Sequence, residues 1–180
     1  MKLAVLSPQK PMSSQFYDSD VADNIEALVD MYVASQKLDA SRVYLTGLSQ
    51  GSIGTWNLAA TRPRRWAAIA PVSGGLRPPF KEAAAALKDM PIWAFHAPND
   101  VILPVAMTDK SVDACKRLAT RTAELRYTRD EAGGSDPSWA AAGIPDMPGH
   151  GGMNLIAYYS PGAPPYPLHD WLLQFRRSQS

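Results

Sequence analysis

The sequence predicts an α/β architecture, a mostly parallel sheet of about five short strands flanked by helices. Three observations carry this expectation. Short apolar runs that suit buried parallel strands recur at 3–6, 42–46, 66–72, 92–96 and 124–128. Segments of helical periodicity separate them. The residues with the most chemistry fall just after strands, where open parallel sheets bind ligands. A chain of 180 residues suits one domain, expected to span 1–180.

Leu3 to Leu6 is a continuous apolar run closed by Ser7-Pro8, and reads as the first strand. A polar loop with Pro11 and the pair Phe16-Tyr17 follows. Ser19 and Asp20 offer an N-cap. Val21, Ile25, Leu28, Val29, Tyr32 and Val33 then recur at helical spacing, which predicts a helix over about 21–37. Val43, Tyr44 and Leu45 mark the second strand. Gly47 to Gly51 is a tight turn, and 52–61 reads as helix until Arg62-Pro63 ends it. Trp66 to Val72 gives the third strand, alanine-rich 80–88 a helix, and Ile92 to His96 the fourth strand. Pro104 suits the first position of a helix bearing Val105, Val112, Cys115 and Leu118. Glu124 to Thr128 is the fifth strand. The stretch 129–152 is rich in Gly, Pro, Ala and Asp, and loops that long are usually functional or mobile. Helical pieces at about 153–159 and 167–177 close the chain.

Composition excludes several classes. A net charge of +1 leaves no nucleic-acid footprint. The lone Cys115 cannot form an internal disulfide and reads as core packing. No run is long enough to span a bilayer, and the apolar start stops short of a signal-peptide core. A cytoplasmic location is expected, with secretion from a longer precursor left open. Three histidines in separate segments make no ligand cluster, and no loop fits a dinucleotide or P-loop pattern. Neither metal nor cofactor is expected, and neither nucleic acid nor membrane as a partner.

Gly47-Leu48-Ser49-Gln50-Gly51 is a weak motif alone, but it directly follows an apolar strand and opens a helix. That is the setting of a nucleophile elbow. Glycines at 47 and 51 would let the backbone turn sharply. The Gln50 N–H, at the positive end of the helix, would face a developing oxyanion. A serine hydroxyl needs a base. His96 ends a strand and reads as a packed or hydrogen-bonded structural residue. His169 sits in the last helix, at the surface. His150, in Pro148-Gly149-His150-Gly151-Gly152, follows the last strand and can swing over the sheet end. The base in turn needs a carboxylate. Asp100, just after the fourth strand, gives the chain order serine, acid, histidine; Asp109, Asp136 and Asp146 compete.

These residues also carry a resemblance. Arg42-Val-Tyr-Leu-Thr-Gly-Leu-Ser-Gln-Gly-Ser-Ile-Gly-Thr-Trp56 resembles the elbow of phospholipase/carboxylesterase-like α/β-hydrolases, often described as predicted peptidases or polyhydroxybutyrate-depolymerase-like esterases. Ile92 to Pro104 resembles their acid loop, with Asp100 four residues before the proline. Gly149-His150-Gly-Gly, then Tyr158 and Asp170-Trp171-Leu172, resembles their histidine loop and final helix. Leu3 to Gln9 is similar to the strand that precedes the elbow helix. The resemblance implies a compact α/β-hydrolase with a Ser49-Asp100-His150 triad acting on carboxylic esters. Gln50 and Ser52 stand where the family often has methionine and glycine. The strands that family members carry ahead of Leu3, one of which ends in the loop donating a second oxyanion N–H, are absent from the sequence.

Losing that donor would cost about 3 kcal/mol of transition-state stabilisation. Pro8 and Pro11 have no N–H, so Gln9 or Lys10 must substitute, and Gln9 is the candidate. The missing strands would leave a sheet edge, so a homodimer across it is an expectation. Phe16, Tyr17, Trp56 and Trp139 could line an acyl pocket or simply pack. With no amphipathic lid helix, short-chain esters are the expected small-molecule substrates. The alternatives are a catalytically impaired binding protein or fragment, and a peptidase of the same fold.

Overall fold

The computed structural model describes residues 3–129, 145, 147–150 and 167–177. Four strands form one parallel sheet in the order β1-β2-β3-β4: β1 (Tyr44–Leu48), β2 (Ala68–Val72), β3 (Ile92–His96) and β4 (Leu125–Arg129). Helices occupy the connections: α1 (Ser19–Ser35) before β1, α2 (Gln50–Thr61), α3 (Phe80–Ala86), α4 (Ala106–Lys116), and α5 (Pro167–Leu172) near the C-terminus. Strand and helix positions follow the apolar periodicity closely. The expected helix at 153–159 lies outside the described residues.

The expected first strand is corrected, which leaves four strands among the described residues rather than five. Leu3 to Leu6 joins no ladder, and Val5 is 83% exposed. An apolar run supplies side chains suited to a strand, but a strand exists only where a neighbour takes its N–H and C=O groups. Two helix starts differ as well. The N-cap of α1 is Asp18, whose carboxylate accepts from the Gln15 N–H (2.7 Å) rather than from the helix. Pro104 precedes α4 by two residues, and Val105 is its N-cap.

β2 runs Ala-Ile-Ala-Pro-Val and is buried throughout, as a central strand covered on both faces should be. Its Pro71 stands opposite Gly47 in the register. Ile69 and Ile92 point to one face, where α1, α2, α3 and α4 contribute Ile25, Trp56, Ala84, Val112 and Cys115. Burial pushes the Cys115 thiol up to about 11, so it stays protonated and packs as a small apolar group. Ala68, Ala70, Val72 and Phe95 face the other way, against Leu168, Trp171 and Leu172 of α5.

The alanines on that second face make room for the Trp171 indole, which packs edge-on against Trp93 (5.6 Å between centroids) and Phe175 (4.8 Å). A helix of six residues has little stability of its own, so this indole is its main attachment. Trp171→Ala should cost about 3–5 kcal/mol in urea denaturation. A loss below 1 kcal/mol would show that the chain repacks around the gap.

Candidate active site

The carboxyl ends of β1, β2 and β3 bring the candidate residues to one end of the sheet. Ser49 sits between β1 and α2 with φ 58° and ψ −119°. That is a costly conformation for a residue with a Cβ, of order 1–3 kcal/mol, and persists only when its surroundings dictate it. Two bonds do so here. The Ser49 N–H donates to the Val72 carbonyl at the end of β2 (3.0 Å). The Ser49 carbonyl accepts from Ile53 N–H in the first turn of α2 (3.0 Å).

The turn is sharp enough that a Cβ on Gly47 would lie 2.5 Å from the Gly51 carbonyl carbon. Glycine at 47 is therefore required. Gly51 is a correction: a Cβ there would meet nothing, so it is its backbone that crowds Gly47, not its own lack of a side chain that matters. Gly54, not singled out by the sequence, is required because the Phe16 side chain packs onto it, with a Cβ there falling 2.6 Å from Phe16 Cβ.

Asp100 follows β3 by four residues, and its side chain is fully buried. Its Oδ1 accepts the N–H groups of Ile102 and Leu103, both at 2.8 Å. Its Oδ2 lies 2.7 Å from His150 Nδ1 and 3.2 Å from His96 Nε2. Burial pushes the carboxyl up, but the donors from His150, His96, Leu103 and Ile102 together outweigh it and hold the group well below the usual carboxylate range. Asp100 is thus a permanent anion aimed at two imidazoles.

His150 is buried and donates Nδ1–H to that anion, which fixes its tautomer. Gly149 makes the approach possible. It adopts φ +76°, and a Cβ on it would lie 2.6 Å from Asp100 N. The histidine loop is seated directly on the acid loop.

Sequence reasoning left three competitors for the acid. Asp109 is engaged elsewhere: the Tyr127 hydroxyl donates to it at 2.8 Å and Arg129 Nε lies 3.4 Å away. Asp136 and Asp146 lie outside the described residues. His169 is half-buried on α5. His96, expected to be structural, touches Asp100 as well, a contact that strand-end position alone does not announce.

Gln50 is the first residue of α2, and Gln9 is exposed in the segment before α1. Trp56 is corrected as a pocket residue. Its side chain is fully buried under α2, leaving no surface for a substrate. Phe16 is half-buried against the same core. Tyr17 lines an open groove of about 370 Å³ with Asn57, Thr61, Arg77 and Glu82, which none of Ser49, Asp100 or His150 borders. Trp139 and Tyr158 lie outside the described residues. Among the described residues, no group of His, Cys, Asp and Glu suits a metal ion, and no helix is long and apolar enough to cross a membrane.

Comparison with known proteins agrees with this fold. A segment of 62 residues is 44% identical to poly(3-hydroxyalkanoate) depolymerase C of Paucimonas lemoignei, covering 34% of this chain and 14% of that protein. A segment of 79 residues is 32% identical to a bifunctional acetylxylan esterase/xylanase of Neocallimastix patriciarum, covering 44% of this chain and 11% of that protein. The chain therefore spans only a small part of the curated relatives it matches. The crystal structure of a thermostable esterase shares the fold, with a TM-score of 0.68 and 24% identity over 93% of this chain and 40% of that one. The sequence pattern of the phospholipase/carboxylesterase family matches residues 2–138, well over half the chain. The chain belongs to the phospholipase/carboxylesterase family of α/β-hydrolases.

Proposed function

We propose that this protein is a serine carboxylesterase that hydrolyses short-chain carboxylic esters through Ser49, His150 and Asp100. The observation that carries the reading is the buried Asp100–His150 bond (2.7 Å), formed at the same end of the sheet as a serine held at φ 58°. A structural role for either feature would not need the other. Two relatives in sequence are named as a poly(3-hydroxyalkanoate) depolymerase and an acetylxylan esterase/xylanase, which supports an ester substrate.

In this mechanism His150 Nε2 takes the Ser49 proton as the oxygen attacks the ester carbonyl. The tetrahedral oxyanion is stabilised by the Gln50 N–H at the start of α2, with Gln9 as the proposed second donor. His150 then protonates the departing alkoxide and leaves an acyl-Ser49. In the second half, His150 deprotonates water, which attacks the acyl carbonyl; the proton returns to Ser49 as the acid leaves. Asp100 stays anionic throughout and stabilises the His150 imidazolium.

Hydrolysis of p-nitrophenyl acetate, butyrate and palmitate tests the proposal. Acetate and butyrate should turn over, and palmitate far more slowly. Equal rates for wild type and a folded Ser49→Ala variant would contradict catalysis and leave a binding protein.

A further inference from the structure

His96 is a buried titratable group that the reaction above leaves unused. It is the last residue of β3. Its Nε2 lies 3.2 Å from Asp100 Oδ2 and 3.0 Å from the Leu103 carbonyl oxygen. Both neighbours are acceptors, so Nε2 carries a proton. Its Nδ1 lies 2.6 Å from the Thr108 hydroxyl of α4, which also bonds the Gly74 carbonyl. The ring is latched at both nitrogens. The Asp100 oxygen it reaches is the one that accepts Nδ1–H of His150. One carboxylate oxygen therefore serves two imidazoles.

We propose that His96 is a positioning residue that sets the proton affinity of His150 through Asp100. The inference rests on the triad reading above for its catalytic meaning, though not for the coupling itself. An oxygen that accepts a second N–H has less negative charge to offer the first. The His150 imidazolium depends on that oxygen. The His96 bond competes for that oxygen, so removing it should strengthen the Asp100–His150 bond.

Among the described residues, the other groups around His96 do not compete for this role. β2 brings no charged side chain. From β4, Arg129 is the register partner of His96, but its guanidinium pairs with Asp109 of α4. α4 contributes the neutral Thr108, and the acid and histidine loops contribute Asp100 and His150.

The test is an NMR titration of the His150 ring in the full chain, for wild type, His96→Leu and His96→Gln, beside the pH profile of kcat/KM. Leucine removes the donor. Glutamine can place an amide N–H where Nε2 was. In His96→Leu the His150 midpoint should rise by about 1 pH unit. The acid limb of kcat/KM should rise with it, while KM stays within about twofold. Glutamine should restore most of the difference. Thr108→Val, which releases the Nδ1 latch and the Gly74 carbonyl but leaves Nε2 in place, should shift the midpoint the same way by less, and stands in should His96→Leu not fold. An unmoved or lowered midpoint in a folded variant overturns the proposal, as does an equal shift with glutamine. The midpoint is read without turnover. An inactive wild type would therefore sink the esterase reading while the titration still decides the role of His96.

Discussion

Ser49→Ala should lower kcat for p-nitrophenyl butyrate by about 10⁴-fold or more, leaving only the hydrolysis that binding and the oxyanion donors support. KM should change little, since the hydroxyl contributes bond formation rather than ground-state binding. The same position predicts a stability effect of opposite sense. Ser49 is held at φ 58°, where a side chain is strained. Ser49→Gly should be as inactive as the alanine variant yet more stable by about 1 kcal/mol in urea denaturation. Alanine keeps the Cβ and should leave stability within about 0.5 kcal/mol of wild type. A glycine variant less stable than alanine would show that the turn is not a site of stored strain.

Asp100→Asn should lower kcat by about 10⁴-fold, read in the same assay. The amide oxygen can take over the Ile102 and Leu103 N–H bonds, which leaves the NH₂ facing His150 and His96. His150 Nδ1 must then accept, so its proton moves to Nε2, where the ring can no longer take one from Ser49. The charge also has a stability signature. The folded carboxyl titrates below its unfolded value, near 3.9. Its stabilisation is complete above that value and declines as the pH falls from there through the folded value. Denaturation of wild type should show this acid-side loss, and Asp100→Asn should lack that component. A variant with near-normal kcat would mean that His150 takes its orientation from elsewhere.

The positions of Ser49, Asp100 and His150 at one end of the sheet were legible in the sequence because each is tied to local chain geometry. A glycine-bounded serine between an apolar strand and a helix can form only a sharp turn. An aspartate four residues past a buried strand lands at the sheet's carboxyl end. His150 stood out among three histidines by its glycine-rich loop. What escaped depends on contacts between distant segments. Leu3 to Leu6 has strand composition, yet pairing is decided by the neighbour. Trp56 on α2 reads equally as pocket or core, and only the packing of α2 against the sheet and α3 places it in the core. The His96–Asp100 contact arises because the acid loop folds back over the strand end. The Gly149 requirement arises because two loops touch, which spacing does not encode. The long 129–152 segment, with Trp139, lies mostly outside the described residues.

The central claim is that Ser49 is a nucleophile activated by His150. Intact-mass spectrometry after exposure to a fluorophosphonate, followed by peptide mapping, tests it most directly and needs no knowledge of the substrate. The account predicts one phosphonyl adduct per chain, on Ser49, absent from Ser49→Ala and formed far more slowly by Asp100→Asn. No adduct on the folded wild-type protein, or an adduct that persists in Ser49→Ala, would contradict it.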